Sequence, residues 1–308
     1  MEGITSLNIL IAGGTGLVGQ VLCQKLASRG HKVSLLSRHP KEDARLKQYE
    51  WDPEKGKIDI QAIEEAEVVV NLAGAGVADR RWSSSYKKQI LDSRVKSTQL
   101  LLRAIKTSAN KVHTYISASA TGYYGYDTGA LILHETSPKG NDYLANVVAD
   151  WEKEAFEAEK LGLRTVCLRT GIVLSAKGGA LPQLVFPIRY GFGSAFGSGN
   201  QFFSWIDIED LAALYVFAIE HEEVRGIYNA VAPTPITNQE LTAALARQLE
   251  KPLWLPHVPK CALQVVVGEL SNTLVGGNKV SSEKIRAEGF VFQSPTIEES
   301  LKRQLKMK

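Results

Sequence analysis

The chain has 308 residues, of which 44% are hydrophobic and 22% charged. These are ordinary proportions for a globular protein, and the length allows a large α/β domain with an additional lobe. A formal net charge of +3 is too small to indicate a nucleic acid or a membrane surface as a partner, so we expect neither. The three cysteines are far apart and the sequence has no paired Cys or His motif, so we expect neither a disulfide nor a metal site.

The N-terminal residues show no targeting signal, and no apolar stretch reaches the roughly 18 residues that a membrane span requires. These features predict a cytoplasmic protein. An organellar protein whose presequence has been removed is the alternative that they leave open.

The first predicted strand, Leu7–Ala12, leads directly into a glycine-rich turn. Glycines at positions 13, 16 and 19 give the spacing G-x-x-G-x-x-G, and Leu17–Arg29 reads as a helix. A buried strand that enters a helix through glycines places backbone amides where the diphosphate of a dinucleotide binds. A βα turn without a ligand is the alternative. The predicted cofactor contacts in this turn are Gly13, Thr15, Gly16, Leu17 and Val18.

The second predicted strand, Lys32–Leu36, is followed by Arg38. A cofactor with a free ribose 2′-hydroxyl usually meets an acidic residue here, whereas a guanidinium can hold a 2′-phosphate through paired hydrogen bonds. We therefore predict NADP rather than NAD as the cofactor, with a solvated Arg38 as the alternative. A later strand, Val68–Leu72, runs into small residues, which predicts further cofactor contacts at Leu72, Ala73 and Gly74.

Helix and strand signals continue to alternate after this point. A helix, a strand, a second helix and a second strand are predicted at Ser84–Thr107, Val112–Ser117, Asp142–Lys160 and Arg164–Arg169. Because parallel strands need helical crossovers, this order predicts a Rossmann-type α/β fold with a doubly wound parallel sheet.

The pattern changes after residue 170. Lys177–Gly199 is rich in glycine and is predicted to be a loop. Lys177–Pro182 and Gly191–Asn200 are predicted to face the substrate, with a flexible connection between the lobes as the alternative. Phe203 and Trp205 are predicted to lie in the core. Further elements are predicted at Ile208–Glu220, Gly226–Ala230, Asn238–Leu249, Leu263–Leu270 and Ser281–Ala287. We predict an NADP-binding domain over residues 1–170 and a smaller C-terminal α/β lobe over residues 171–308, with some exchange of elements between the two.

Several segments occur in an order typical of one enzyme family: Gly13–Gly19, Asn71–Gly74, Ser117–Ser119, Tyr123–Gly125 and Leu168–Leu174. On these segments the chain resembles the extended short-chain dehydrogenase/reductases, a group that includes nucleotide-sugar epimerases and dehydratases. It looks most like an atypical epimerase-like subfamily whose C-terminal segment has no assigned function, on the basis of Asp150–Glu152 and Gly289–Phe292.

The resemblance implies a catalytic Ser or Thr, a Tyr, and a Lys four residues after that Tyr. Ser119 stands at the position of the Ser and Tyr143 near that of the Tyr, while Tyr123 and Tyr124 are alternative proton carriers. A packed or solvent-exposed helix residue is the alternative for Tyr143. Val147 occupies the place of the Lys, so this helix lacks the positive charge that would ease ionisation of the phenol. The candidate replacement cations from elsewhere in the chain are Arg80, Arg81, Arg94 and Lys139.

These observations predict an NADP-dependent oxidoreductase of epimerase-like type that acts on a small carbonyl or hydroxyl compound. One alternative, favoured by Val147, is an NADP(H)-binding redox sensor or regulatory protein with little or no turnover. A nucleotide-sugar epimerase is a further alternative, implied by the resemblance alone. We expect a monomer or a homodimer with a small-molecule substrate as its partner.

Overall fold

The computed structural model describes residues 6–41 and 44–305. Its strands are β1 (Asn8–Ala12), β2 (Lys32–Ser37), β3 (Lys47–Asp52), β4 (Lys57–Ile58), β5 (Val68–Asn71), β6 (Thr114–Ala120), β7 (Ile132–Leu133), β8 (Arg164–Thr170), β9 (Ile172–Ser175), β10 (Gly178–Gly179), β11 (Phe202–Phe203), β12 (Trp205–Asp207), β13 (Gly226–Ala230), β14 (Ile236–Thr237) and β15 (Lys279–Val280). Its α-helices are α1 (Leu17–Ser28), α2 (Gln61–Glu64), α3 (Ser84–Thr107), α4 (Tyr143–Phe156), α5 (Ala180–Arg189), α6 (Ile208–Glu220), α7 (Asn238–Gln248), α8 (Lys260–Val267), α9 (Ser271–Val275), α10 (Glu283–Ala287) and α11 (Ile297–Gln304).

The central sheet has the strand order β13-β8-β6-β5-β1-β2-β3-β4. Every neighbouring pair is parallel except β3 and β4, which are antiparallel. Chain order runs outward in both directions from β1, so the topology switches between β1 and β5. Ala12 at the end of β1 is in register with Leu36 of β2 and Asn71 of β5. The loops that follow these strands therefore meet at one edge, where sheets of this kind bind ligands.

Helices cover both faces of this sheet, as the side chains of β1 show. Ile9 and Ile11 pack into a hydrophobic cluster with α1 and α6, whereas Leu10 and Ala12 join a second cluster with α3. A strand that is buried on both faces needs apolar residues at successive positions, and β1 has them. The predicted Rossmann-type, doubly wound parallel sheet is therefore confirmed.

One predicted loop proved wrong, because α5 lies inside Lys177–Gly199. Pro182 is in the first turn, where the missing N–H has no intrahelical acceptor, and Pro187 lies further inside the helix. The prolines and the neighbouring glycines are typical of a loop, and they outweighed the helical spacing of the apolar residues Leu181, Val185 and Ile188. The strand β3 and the helix α11 also lie outside the predicted elements, and each exposes a polar face.

The later part of the chain contributes both to the sheet and to a smaller cluster of elements beside it. Strand β13 pairs with β8, and α6 packs on α1, so both belong to the sheet layers. Phe203 and Trp205 are buried with α5, α7 and α11 in a separate hydrophobic cluster, which confirms the prediction that they are core residues.

The C-terminal segment is joined to the start of α6 by two fully buried carboxylates. Asp207 caps α6 by accepting from the backbone N–H of Glu209 at 2.8 Å, and it also accepts from the Ser300 hydroxyl at 2.7 Å. Asp210 accepts from the backbone N–H groups of Gln293 and Ser294 at 2.8 and 2.9 Å. This segment is thereby attached to an element of the sheet layer.

In the part of the chain that the structure describes, none of the helices combines the length and apolar character needed to cross a membrane. The same residues bring together no group of three or more His, Cys, Asp or Glu side chains of the kind that holds a metal ion.

Candidate functional site

The glycine turn between β1 and α1 depends on close approach of backbone segments. Gly13 has a φ of +80°, and a Cβ there would lie 2.9 Å from the carbonyl carbon and oxygen of Leu72. A Cβ on Gly19 would lie 2.5 Å from the carbonyl oxygen of Gly13. Within the turn, the Gly16 N–H donates to the Gly13 carbonyl at 3.0 Å. Side chains at positions 13 and 19 would therefore force the turn apart.

The start of α1 is a suitable place for an anion. Gly16 is the N-cap residue, so no side chain caps the helix, and the first turn has no acidic residue. Thr15 and Gly16 are exposed, and Leu17 and Val18 are partly exposed. The uncapped amides and the helix dipole both favour a bound diphosphate here. The five residues predicted to contact the cofactor in this turn thus fit such a group.

The loop after β5 lies directly beside this turn. The backbone N–H of Leu72 donates to the Ala12 carbonyl at 2.9 Å. The buried Asn71 side chain shapes the loop, because its Oδ1 accepts from the Ala73 N–H at 3.1 Å while its amide donates to Thr98 and Tyr115, each at 3.1 Å. The structure therefore brings the predicted contacts after β5 next to those after β1.

Arg38 directly follows β2 and is exposed. It forms no ion pair with any acidic residue in the described ranges 6–41 and 44–305. Because Leu36 is in register with Ala12, Arg38 lies at the same sheet edge as the glycine turn. A 2′-phosphate is the anion that a cation at this place would bind.

The predicted substrate-facing segment Lys177–Pro182 lies over the beginning of α1. Cβ atoms built on Gly178 and Gly179 would come within 3.6 and 3.4 Å of the Leu17 methyl groups. The other predicted segment, Gly191–Asn200, packs instead against residues 256–258, where Phe196 forms a bridge with Val258. Of the two segments, only the first reaches the predicted cofactor site.

Ser119 of β6 is buried and belongs to a charged hydrogen-bond network with residues of α4 and β8. Its hydroxyl donates to Glu152 Oε1 at 2.6 Å. Arg169 donates from Nε to the same oxygen and from Nη2 to Oε2, each at 2.8 Å. Glu152 and Arg169 did not figure among the predicted site residues. The available signal was a charged side chain directly after Val166–Leu168, the apolar middle of the buried strand β8, because buried charges require partners.

Tyr124 is attached to the same network. Arg169 Nη1 donates to its hydroxyl at 3.1 Å, and this hydroxyl lies 2.7 Å from the acceptor Oδ1 of Asn229. The Tyr124 side chain is only 2% exposed. Burial raises the pKa of Tyr124 above its ordinary value, and the charge of Arg169 opposes this rise. The structure thus places Ser119 and Tyr124 on two sides of one ion pair.

Tyr143 occupies a different position, at the start of α4 against α3. Its hydroxyl donates to the backbone carbonyl of Lys87 at 2.7 Å, and its ring meets Trp82 edge-on with the centroids 5.2 Å apart. Burial raises the pKa of Tyr143, whereas the charge of Arg94 lowers it. Within the described residues, Tyr143 shares no hydrogen bond with Ser119 or Tyr124.

Val147 is buried between α4 and α3, where it packs with Tyr86 and Ile90. A cation near this cluster comes from α3 instead: the Cζ of Arg94 lies 5.1 Å from the ring centroid of Trp151, one helical turn after Val147. The other candidate cations are placed differently. Arg80 and Arg81 are exposed, and Lys139 donates to Gly140 and Asn146.

Comparisons with known proteins agree with this geometry. Residues 9–230 match the model of the NAD dependent epimerase/dehydratase family, and residues 258–304 match a domain of unknown function. The epimerase family protein SDR39U1 of Mus musculus is 35% identical over 305 residues, which cover 96% of this chain and 99% of the relative. The epimerase family protein Mb2239 of Mycobacterium bovis is 37% identical over 295 residues, with 95% and 96% covered.

Solved structures are similar over nearly the whole chain. The crystal structure of human SDR39U1 (isoform 2) with NADPH has a TM-score of 0.86 and 32% identity, and the match covers 98% of this chain and 100% of that chain. The nucleoside-diphosphate sugar epimerase of Corynebacterium glutamicum has a TM-score of 0.81 and 34% identity, with 98% of this chain and 58% of that chain covered.

Proposed function

The chain belongs to the NAD dependent epimerase/dehydratase family, and from this we propose that it is an NADP-dependent oxidoreductase acting on a small carbonyl or hydroxyl compound. The observation that carries the proposal is the glycine turn at the uncapped start of α1, together with the NADPH in the crystal structure of the human relative. The NADP prediction from Arg38 agrees with the cofactor of that relative.

The residues present fit this cofactor. The turn that contains Gly13, Thr15, Gly16, Leu17 and Val18 would hold the diphosphate, Arg38 the 2′-phosphate, and Leu72, Ala73 and Gly74 a ribose. When bound, the nicotinamide supplies or accepts a hydride. The chain must then hold the substrate oxygen and move a proton to or from it.

We assign these tasks to Ser119 and Tyr143, with Tyr124 as the alternative proton carrier. Each hydroxyl has a protein partner, so each must exchange a hydrogen bond before it can serve a substrate. For Tyr143 the bond to the Lys87 carbonyl must open, whereas the Tyr124 hydroxyl would have to leave two acceptors, Asn229 Oδ1 at 2.7 Å and the His134 carbonyl at 3.0 Å. Because Tyr143 has fewer partners to leave, the geometry favours Tyr143 over Tyr124.

The test measures binding and turnover separately. Calorimetry should show saturable NADPH binding by the wild-type protein, and a panel of carbonyl compounds should reveal NADPH oxidation. Tyr143→Phe should lower turnover by about 100-fold or more, while Tyr124→Phe should retain it. A loss confined to Tyr124→Phe would transfer the proton role to Tyr124, and failure to bind NADPH would refute the proposal as a whole.

A second function, an NADP(H)-binding redox sensor or regulatory protein, is favoured by the internal partners of all three hydroxyls and by Val147. It predicts tight NADPH binding without oxidation by any member of the panel. A nucleotide-sugar epimerase is the third candidate, and it needs a Tyr that works reversibly, which the absence of Lys at position 147 disfavours. We also propose a cytoplasmic location and a monomeric or homodimeric state, which light scattering would distinguish.

A further inference from the structure

Arg94 is held in place at the edge of the predicted cofactor site. Its Nη1 donates to the backbone carbonyls of Ala75 and Ile90 at 3.1 and 2.8 Å. A Cβ on Gly74 would lie 3.1 Å from its Cζ, so the missing side chain at that position leaves room beside the guanidinium. The partly buried Arg94 thus has a fixed orientation next to a residue that we assign to the cofactor site.

One edge of this guanidinium is unused. Nε and Nη2 donate to no acceptor within residues 6–41 and 44–305. Neither nitrogen is fully buried. The fully buried side-chain polar atoms that lack a hydrogen-bond partner in the described chain are Tyr126 OH, Trp151 Nε1, Ser282 Oγ and Ser294 Oγ. The Nε–Nη2 edge therefore remains accessible, and it is an edge with which arginine grips two oxygens of a carboxylate or phosphate.

Arg94 also differs from neighbouring cations on its own helix. Lys87 pairs with Glu269, Lys88 with Asp92, and Lys96 with both Glu54 and Asp92. Arg94 has no carboxylate partner in the described part of the chain, although it is more enclosed than Lys88. Burial lowers the pKa of Arg94 to about 10, and none of the carboxylates within residues 6–41 and 44–305 pairs with this charge.

We propose that Arg94 binds an anionic group, a carboxylate or a phosphate, of the small-molecule substrate. This inference deepens the proposed function and rests on it, because it assigns a chemical class to the substrate of the same site. A bound oxyanion would supply the missing countercharge and would use the free Nε–Nη2 edge. We assign the diphosphate of the cofactor to the start of α1 and the 2′-phosphate to Arg38, and we therefore assign the anion at Arg94 to the substrate.

The experiment uses the full chain with inorganic phosphate and malonate as probes. Each probe is titrated by calorimetry at constant ionic strength, once without cofactor and once with saturating NADPH. The variants are Arg94→Gln, Arg94→Lys and the matched control Arg103→Gln, which alters an exposed arginine of α3 that donates to the Gly56 carbonyl at 3.1 Å. Thermal melting of each variant confirms that it is folded.

We expect saturable binding of at least one probe by the wild type and by Arg103→Gln. Binding by Arg94→Gln should be about tenfold weaker or more, because a charge-assisted pair of hydrogen bonds is lost. Arg94→Lys keeps the charge but lacks the paired donors of the guanidinium, so its affinity for the probe should be intermediate. This variant supplies the comparison with the wild type if Arg94→Gln does not fold. The NADPH affinity of every folded variant should stay close to that of the wild type.

Three outcomes would overturn the inference: no saturable binding of either probe by the wild type, equal probe binding by wild type and Arg94→Gln, or an equal loss of NADPH and probe affinity in Arg94→Gln. The last result would assign the anion to the cofactor. If the wild type bound phosphate through Arg94 but bound no NADPH, the proposed function would fail while the anion site itself would stand. The titration without cofactor separates these two failures.

Discussion

Ser119 and Arg169 share one oxygen atom, Oε1 of Glu152, at 2.6 and 2.8 Å respectively. Arg169 also reaches the Tyr124 hydroxyl, so one buried ion pair orients two of the three hydroxyl groups that we consider for catalysis. The Glu152–Arg169 ion pair is therefore both a part of the buried core and the group that positions Ser119 and Tyr124.

Arg169→Met should unfold more easily than the wild type, because it leaves the carboxylate of Glu152 buried without its partner. The expected loss is about 3–5 kcal/mol in the free energy of unfolding, measured by urea denaturation. The double variant Glu152→Leu/Arg169→Met should recover much of this loss, and Arg103→Met on the surface should cost little. A loss for Arg169→Met no larger than that for Arg103→Met would contradict this account.

Arg38→Ala should weaken the binding of NADPH about tenfold or more and leave that of NADH nearly unchanged. The reason is that only NADPH carries the 2′-phosphate that this guanidinium would bind. Dissociation constants from the enhancement of NADPH and NADH fluorescence provide the measurement. Lys32→Ala, at the opposite end of β2, is the matched control. Equal losses for the two nucleotides would remove Arg38 from the 2′-phosphate site.

Val147→Lys should destabilise the protein, because its ammonium group would enter the apolar cluster of Tyr86 and Ile90 with no carboxylate in that cluster. An uncompensated buried charge costs about 3–5 kcal/mol, which thermal or urea unfolding would detect. Val147→Ile tests added volume without charge and should cost much less. A stable Val147→Lys protein with increased turnover would show instead that the site accepts the family lysine.

Glu220→Gln tests a pH-dependent contribution to stability. Glu220 is partly buried, which raises its pKa, but hydrogen bonds from Arg29 at 2.6 Å and His31 at 3.1 Å outweigh this and hold the pKa below its ordinary value of 4.5. The folded state thus favours the carboxylate, and the resulting stabilisation is complete above pH 4.5 and disappears as the pH falls through the folded pKa.

The stability difference between wild type and Glu220→Gln should therefore be largest near pH 7 and should shrink below pH 4.5. Urea denaturation at both ends of this range measures it. Glu222→Gln, at an exposed position, serves as the control and should show little pH dependence relative to the wild type. A difference for Glu220→Gln that stayed constant down to pH 3 would assign it to packing alone.

The cofactor turn could be predicted from the sequence because its signals are local. A strand, three glycines and a helix follow one another within Leu7–Arg29, and contacts inside the turn or with the loop after β5 leave no room for a side chain at Gly13 or Gly19. The position of Arg38 followed from the same reasoning, since the end of β2 must adjoin that of β1 in a parallel sheet.

The hydroxyl environments could not be predicted in the same way. Ser119, Glu152 and Arg169 come from β6, α4 and β8, and no spacing in the sequence indicates that their side chains meet. The choice among the four candidate cations likewise depended on how α3 packs against α4. Helix α5 was missed for a different reason, because proline and glycine signals outweighed a short apolar face.

The buried carboxylates of Asp207 and Asp210 have a consequence for truncation of the chain. If the segment after residue 290 detached, Asp207 and Asp210 would lose hydrogen bonds at the start of α6, the helix that packs on α1. The C-terminal segment and the central sheet should therefore unfold in one cooperative step, and backbone amides in α11 should exchange hydrogen as slowly as those in α6. A stop codon ahead of Gln293 would damage the whole molecule rather than remove an appendage.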